Sequence, residues 1–549
     1  MDNLREQLHY FLFDRDGDLL YEIGAVAVAY GIYKIAYIIL KNTVFHPIPT
    51  FPYPQTRDEN FKVIKNALEE GTLPKIFRPH FFPGSTFSNF YVITDFEIMK
   101  EAFSKRSMSN RQFSERFECT IKNMLRRKDY HEIAKSILDE NDQLLKNGVG
   151  NLAGIAEGRY DQFHKKIRAQ WHDTMKRLVG KNKLAEIIQA STENVCLHLE
   201  RLGSDPSGID PRRIFMNGSI NVTSGLAFGI NYDFEDPEFL KIADYVDSFF
   251  VGVLHFILKC ICNNALPLWT LIKKNHENHE KISQSDFYNK LWLKTPLKHF
   301  EDALPLFHSY VFKIIKEQQK TLDPANPRNL LDTLLIEASR DPEWGYFTLA
   351  ATIVALYLAA TDTLANTLTW LSLVLADHPE VQEKIYEELK SAREKDNDLI
   401  KENCPFTRSV LLESRRLNPI AETLVHVASE DTQVKGFTFP NNSQIIGSLA
   451  AVMHDPKNFP EPSKFIPDRF IDENGEFVND PKVCGFSVGL RNCIGKSLAI
   501  EEYFAFGTSM VENFEIKRIA GNMDIADHPG LRIPKDDIRL QFIRRKNKA

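Results

Sequence analysis

The sequence predicts a helix-rich protein with only short strands. Phe347 to Ala376 is a run of thirty residues with helical character and a single charge, Asp362. Two other helical runs stand apart from it, the basic stretch Tyr160 to Leu178 and the apolar stretch Ile494 to Phe504. Strand patterning is brief. Phe87 to Thr94 alternates, and Val434 to Ala450 predicts a hairpin with Pro440-Asn441-Asn442 at its turn.

Residues 1–22 are polar and acidic, and Ile23 to Leu40 follows as 18 residues with one charge, Lys34. That run is long enough to span a bilayer, although Lys34 has to snorkel along it. An acidic flank before it and Lys41 after it place the N-terminus outside and the body in the cytosol. An interfacial helix and a buried soluble helix are the alternatives. His46-Pro47-Ile48-Pro49-Thr50-Phe51-Pro52-Tyr53-Pro54 is a stiff hinge. The alternating strand leads into a helix from Phe96 to Phe103. Residues 106–150 are highly charged and carry no assignable role. In Tyr160 to Leu178 the charges are His164, Lys165, Lys166, Arg168, Lys176 and Arg177, and a solvated face is their ordinary fate. Phe249 to Trp269 is apolar with Lys259 as its one charge, and ordinary core helix is one of two readings for it, a segment near the membrane being the other. Phe347 to Ala376 has the length of a membrane span, but Thr361-Asp362-Thr363, Thr367 and Thr369 suit an internal helix lining a cavity. A mean hydropathy of −0.30 also argues against several spans.

The chain has 549 residues, which by length alone suggests about three or four domains. No Gly/Ser or Pro-rich linker interrupts residues 60–540, so one large domain over 46–549 is expected, preceded by a membrane-anchor segment over 1–45. A net charge of −6 excludes a nucleic-acid-binding signal. The seven cysteines are odd in number and scattered, which gives neither a disulfide framework nor a zinc pattern and fits a reducing compartment. The 39 phenylalanines suit an apolar ligand cavity and an aromatic-rich core equally.

The chemistry concentrates in Gly485-Phe486-Ser487-Val488-Gly489-Leu490-Arg491-Asn492-Cys493-Ile494-Gly495. Cys493 precedes a helical run, where free N–H groups and the helix dipole favour a thiolate. Gly489 and Gly495 remove side chains near the sulfur, so a flat cofactor can lie against the backbone. Arg491 can pair with a carboxylate of that cofactor, and Phe486 can keep water from the sulfur. These are the needs of a haem iron held by one axial cysteine thiolate. With the spacing Phe-x-x-Gly-x-Arg-x-Cys-x-Gly, the chain resembles the cytochrome P450 family, the haem-thiolate monooxygenases, in its animal microsomal branch. Ala359-Ala360-Thr361-Asp362-Thr363 resembles the family's oxygen-binding stretch, with Ala360 in place of the usual glycine. Glu413-Ser414-Arg415-Arg416, then Pro467-Asp468-Arg469-Phe470, then the cysteine loop follow in the family's order.

The resemblance covers roughly residues 45–540 and implies a mainly α fold with small β-sheets, the cytochrome P450 fold. Haem b (iron protoporphyrin IX) would lie between the long helix carrying Asp362 and the helix after Cys493, its iron bound to Cys493. Asp362 and Thr363 would deliver protons during oxygen activation. Glu413, Arg416 and Arg469 would form a buried structural cluster. Tyr160 and His164 stand where the family has a tryptophan and a propionate-binding arginine. His426 stands where branch members place a propionate histidine, a satisfied core histidine being the alternative. The implied reaction inserts one oxygen atom from O2 into a hydrophobic small molecule (steroid, fatty acid or xenobiotic). Electrons would come from NADPH through NADPH-cytochrome P450 reductase, with cytochrome b5 a second candidate donor and the basic helix a docking face. The expected location is the endoplasmic reticulum membrane with the catalytic domain cytosolic. A haem-thiolate isomerase or dehydratase and a non-catalytic haem protein are the other classes, separable by NADPH consumption.

Overall fold

The computed structural model describes residues 50–52, 64, 66–80, 90–111, 160–180, 182–246, 296–341, 344–395, 401–525 and 531–546. The predicted anchor over 1–45, the charged stretch from 112 to 150 and the apolar run 249–269 lie outside these residues.

Eleven helices carry the described fold: α1 (Phe96–Ser104), α2 (Gln162–Gly180), α3 (Lys183–Gly203), α4 (Arg212–Phe228), α5 (Pro296–Lys320), α6 (Leu330–Ala338), α7 (Tyr346–Asp377), α8 (Pro379–Lys395), α9 (Pro405–Leu417), α10 (Leu449–Met453) and α11 (Lys496–Asn513). The centre is α7, the thirty-residue run predicted from its pattern, with neither Pro nor Gly inside it to break the ladder. By length and composition it would cross a membrane, but it lies inside the fold, packed by α4, α5 and α11. Helix α4 is buried along almost its whole length, between α3 and α7. Its small residues make that possible. A Cβ at Gly218 would meet Val195 at 2.5 Å, and one at Gly225 would meet Ile187 at 2.7 Å, so α3 closes directly onto the α4 backbone.

The strands are β1 (Thr50–Pro52), β2 (Ile76–His80), β3 (Phe90–Ile93), β4 (Thr423–Val427), β5 (Thr432–Val434), β6 (Phe437–Phe439), β7 (Gln444–Ser448), β8 (Phe514–Ala520) and β9 (Arg539–Arg544). A five-stranded sheet has the order β1-β2-β3-β7-β4, while β5-β6 and β8-β9 are separate antiparallel pairs. The structure corrects the expected hairpin at Pro440. Its tight turn is Lys435-Gly436, both left-handed at φ 47° and 82°, and it joins β5 to β6. Pro440-Asn441-Asn442 instead carries the chain between sheets, from β6 to β7, which pairs with β3 and β4. A mainly α fold with small sheets is what results.

Candidate active site

The cysteine loop is fixed by its backbone. Ser487 and Gly489 both take left-handed conformations, at φ 61° and 79°. The N–H of Cys493 donates to the Phe486 carbonyl at 2.9 Å and closes the loop. A Cβ at Gly489 would sit 2.1 Å from the Phe103 carbonyl oxygen, so this glycine lets the loop close on the end of α1. That differs from its expected role beside the sulfur. Gly495 does face the sulfur: a Cβ there would meet only Cys493 Sγ, at 3.9 Å.

Cys493 is exposed and lies three residues before the first residue of α11. The expected preference for thiolate is reversed in the free thiol. Burial by the surrounding protein pushes its pKa up, and the Gly495 N–H with the charges of Arg168 and Lys496 offsets this only in part.

Helix α2 holds the loop from the other side. Arg168 donates to the Asn492 carbonyl at 3.0 Å and to Asn492 Oδ1 at 2.8 Å. One turn later the Trp171 indole N–H donates to the Ile494 carbonyl at 2.9 Å. Both neighbours of Cys493 are therefore tied to one helix. Neither contact was expected, because Arg168 had been grouped with the solvated charges. A buried tryptophan three residues beyond it, on the same helical stripe, was the available signal.

Two predicted cofactor residues meet beside this clamp. Arg491 Nη1 lies 3.2 Å from His164 Nδ1, and Arg491 Nε donates to the Ser109 carbonyl at 2.9 Å. The Arg491 guanidinium also stands 5.7 Å from the Tyr160 ring centre. Arginine can only donate, so His164 Nδ1 accepts and the imidazole proton sits on Nε2. Burial, then the charges of Arg491, Arg168 and Arg111, lower the His164 pKa to about 3 and keep it neutral. Its Nε2 is buried with no hydrogen-bond partner among the described residues. A neutral N–H donor aimed from a field of three arginines fits a carboxylate.

His426 is different. Its ring stacks on Phe103, centroids 3.8 Å apart, and Nδ1 lies 2.8 Å from the Met108 carbonyl. Nδ1 must carry the proton there, and burial first, then the Arg111 charge, holds the pKa well below 6.5. Its Nε2 is thus an acceptor and does not suit a carboxylate. The geometry favours the core-histidine alternative.

On α7, Asp362 and Thr363 are both half-buried, between the buried Thr361 and Leu364. Thr363 Oγ1 donates to the Ala359 carbonyl at 2.6 Å, as Thr361, Thr367 and Thr369 do one turn back along the same helix. The hydroxyl oxygen keeps lone pairs to accept a further bond. Two residues away, the Ala360 carbonyl accepts from Ser219 of α4 at 3.1 Å. Ser219 in turn meets Glu502 of α11, a carboxyl that burial raises to a pKa of about 8. The Ser219 contact lowers that pKa, and burial outweighs it.

Glu413, Arg416 and Arg469 come together. Arg416 grips Glu413 with two bonds, 2.6 and 2.9 Å, and reaches the Met453 carbonyl at 2.8 Å. Arg469 Nε adds a third contact to Glu413 at 3.3 Å, and the Ile466 N–H a fourth at 2.9 Å. All four approach a carboxylate with no exposure, so its charge is compensated on every side.

Open sulfur, a flat glycine beside it and an arginine with a neutral imidazole donor at its flank together fit haem. The comparisons with known proteins agree. The Cytochrome P450 family model matches residues 139–542. Cytochrome P450 2C13, male-specific, of Rattus norvegicus is 27% identical over 418 residues, 73% of this chain and 80% of its own length. Cytochrome P450 2A10 of Oryctolagus cuniculus is 30% identical over 333 residues, 58% of this chain and 62% of its own. Among solved structures, a zebrafish cytochrome P450 determined with progesterone superposes with a TM-score of 0.65 at 20% identity, over 88% of this chain and 99% of that one. The chain belongs to the cytochrome P450 family, the haem-thiolate monooxygenases, in the company of animal relatives.

Proposed function

We propose that this monooxygenase takes electrons from NADPH through a flavoprotein reductase and hydroxylates a hydrophobic small molecule of the steroid, fatty-acid or xenobiotic class. The observation that carries the reading is the joined set of Cys493, Arg491 and His164, an open sulfur beside a donor pair suited to a propionate. Cys493 would ligate the iron, with Arg491 and His164 holding a propionate. The chemistry the haem supplies when bound is reductive activation of O2 and insertion of one oxygen atom into the substrate. In this reading Thr363 Oγ1, whose own proton goes to the Ala359 carbonyl, accepts from an ordered water that carries the proton. Asp362, its half-buried neighbour, exchanges that proton with solvent. Lys165 and Lys176 are exposed on α2, and Lys496 is exposed next to the cysteine loop. Their charge suits an acidic electron donor, either NADPH-cytochrome P450 reductase or cytochrome b5. Residues 1–45 would anchor the domain to the endoplasmic reticulum with its catalytic part in the cytosol.

Reduced protein treated with carbon monoxide should show the strongly red-shifted Soret band of thiolate ligation. Cys493→His should abolish that band. NADPH should be consumed only with reductase present. An unchanged band in the variant removes the ligand assignment, and product without NADPH removes the monooxygenase reading in favour of an isomerase.

A further inference from the structure

Arg168 is the one cation of α2 that turns inward to the cysteine loop by two hydrogen bonds among the described residues. Both of its partners are neutral atoms of Asn492, so its charge is not cancelled by them. Asn492 is the residue before Cys493, so these two bonds place the guanidinium charge beside the sulfur. Arg168 is half-buried, and where water is partly excluded a charge–charge interaction is stronger than in bulk solvent. Trp171 holds the Ile494 carbonyl from the same helix, so the separation of guanidinium and sulfur is fixed from both sides of the cysteine.

We propose that Arg168 is a positioning residue that tunes the electron-donor strength of Cys493 and makes the haem iron easier to reduce. The inference rests on the haem-thiolate reading above. Reduction adds one electron, and therefore one negative charge, to the iron–thiolate unit. A fixed cation beside the sulfur stabilises the reduced form relative to the oxidised one. It also draws electron density back onto the sulfur, which weakens the push toward iron. No proton is transferred, and the electron comes from the donor protein already proposed. Arg168 is thereby separated in role from the exposed Lys165 and Lys176 of the same helix, which face a partner instead.

The test is the midpoint potential of the ferric/ferrous couple of the full-length holoprotein, followed spectroscopically in wild type, Arg168→Gln, Arg168→Lys and Trp171→Phe. Arg168→Gln should shift the equilibrium about tenfold toward ferric, which for one electron is about 59 mV lower. Arg168→Lys keeps the charge and should restore most of the shift. Trp171→Phe loses one bond to the loop and no charge, and should leave the potential near wild type. The carbon monoxide band should stay at the thiolate position throughout. An unchanged potential in Arg168→Gln with that band intact overturns the inference, as does an equal fall in the Gln and Lys variants. If Arg168→Gln does not retain haem, Arg168→Met, whose apolar stem suits the half-buried position, replaces it. Loss of haem from both makes the residue structural and also overturns the inference. Absence of the thiolate band from wild type would instead remove the reading beneath it.

Discussion

Replacing Glu502 by glutamine should flatten the pH dependence of stability. Glu502 is 1% exposed, and its pKa stands at about 8 against an ordinary 4.5. The folded protein therefore keeps a proton that the unfolded chain releases once the pH passes the ordinary value. Stability from this group is fully present in acid and falls as pH rises, until the folded form also ionises near the raised value. Each pH unit inside that window costs about 1.4 kcal/mol, so going from about pH 5 to about pH 7.5 costs about 3 kcal/mol. The Glu502→Gln side chain keeps nearly the same shape and carries no titrating proton. The assay is the apparent Tm followed by loss of the Soret band across that range, in wild type and variant side by side. Wild type should lose several degrees more than the variant toward alkaline pH. Equal slopes in the two proteins would refute the argument, because Glu502 would then be ionised in the folded state as it is in the unfolded one.

Thr363→Ala should still bind haem and consume NADPH but divert it to hydrogen peroxide, seen as a fall in product per NADPH; full coupling would exclude the proton role. Glu413→Gln leaves Arg416 buried with half its compensation and should cost about 3–5 kcal/mol, measured as lost haem retention and a lower Tm; a variant as stable as wild type would mean the cluster is not structural. Full-length protein should remain in the membrane pellet through an alkaline carbonate wash if residues 1–45 span, and be released by it if they lie on the surface. Protein soluble without any wash would refute both.

Elements whose residues announce themselves over a long run were legible in the sequence. Helix α7 extends one residue beyond its predicted thirty at each end, because its apolar period is unbroken. The Glu413–Arg416 pair was legible less from its spacing, which Glu337 and Arg340 share, than from its place ahead of Pro467-Asp468-Arg469-Phe470 and the cysteine loop. What escaped were contacts that depend on where one helix lands on a distant loop. Arg168 looked like its lysine neighbours until α2 was placed against Asn492. Glu502 looked like Glu501 until α4 brought Ser219 beside it. The turn at Lys435-Gly436 was missed for a different reason: a Gly in a two-residue loop is a stronger turn signal than a proline followed by two asparagines, and the wrong one was chosen.

The cysteine loop is stitched to the rest of the chain over long intervals. Arg168 and Asn492 are 324 residues apart, and Arg491 reaches Ser109 across 382. During synthesis the α2 clamp and the α1 seat for Gly489 are made long before the loop they hold. Until residue 495 leaves the ribosome neither has anything to close upon. With Cys493 as the proposed ligand, only chains translated through the loop could be loaded with haem. Distant pairings of this kind also close slowly.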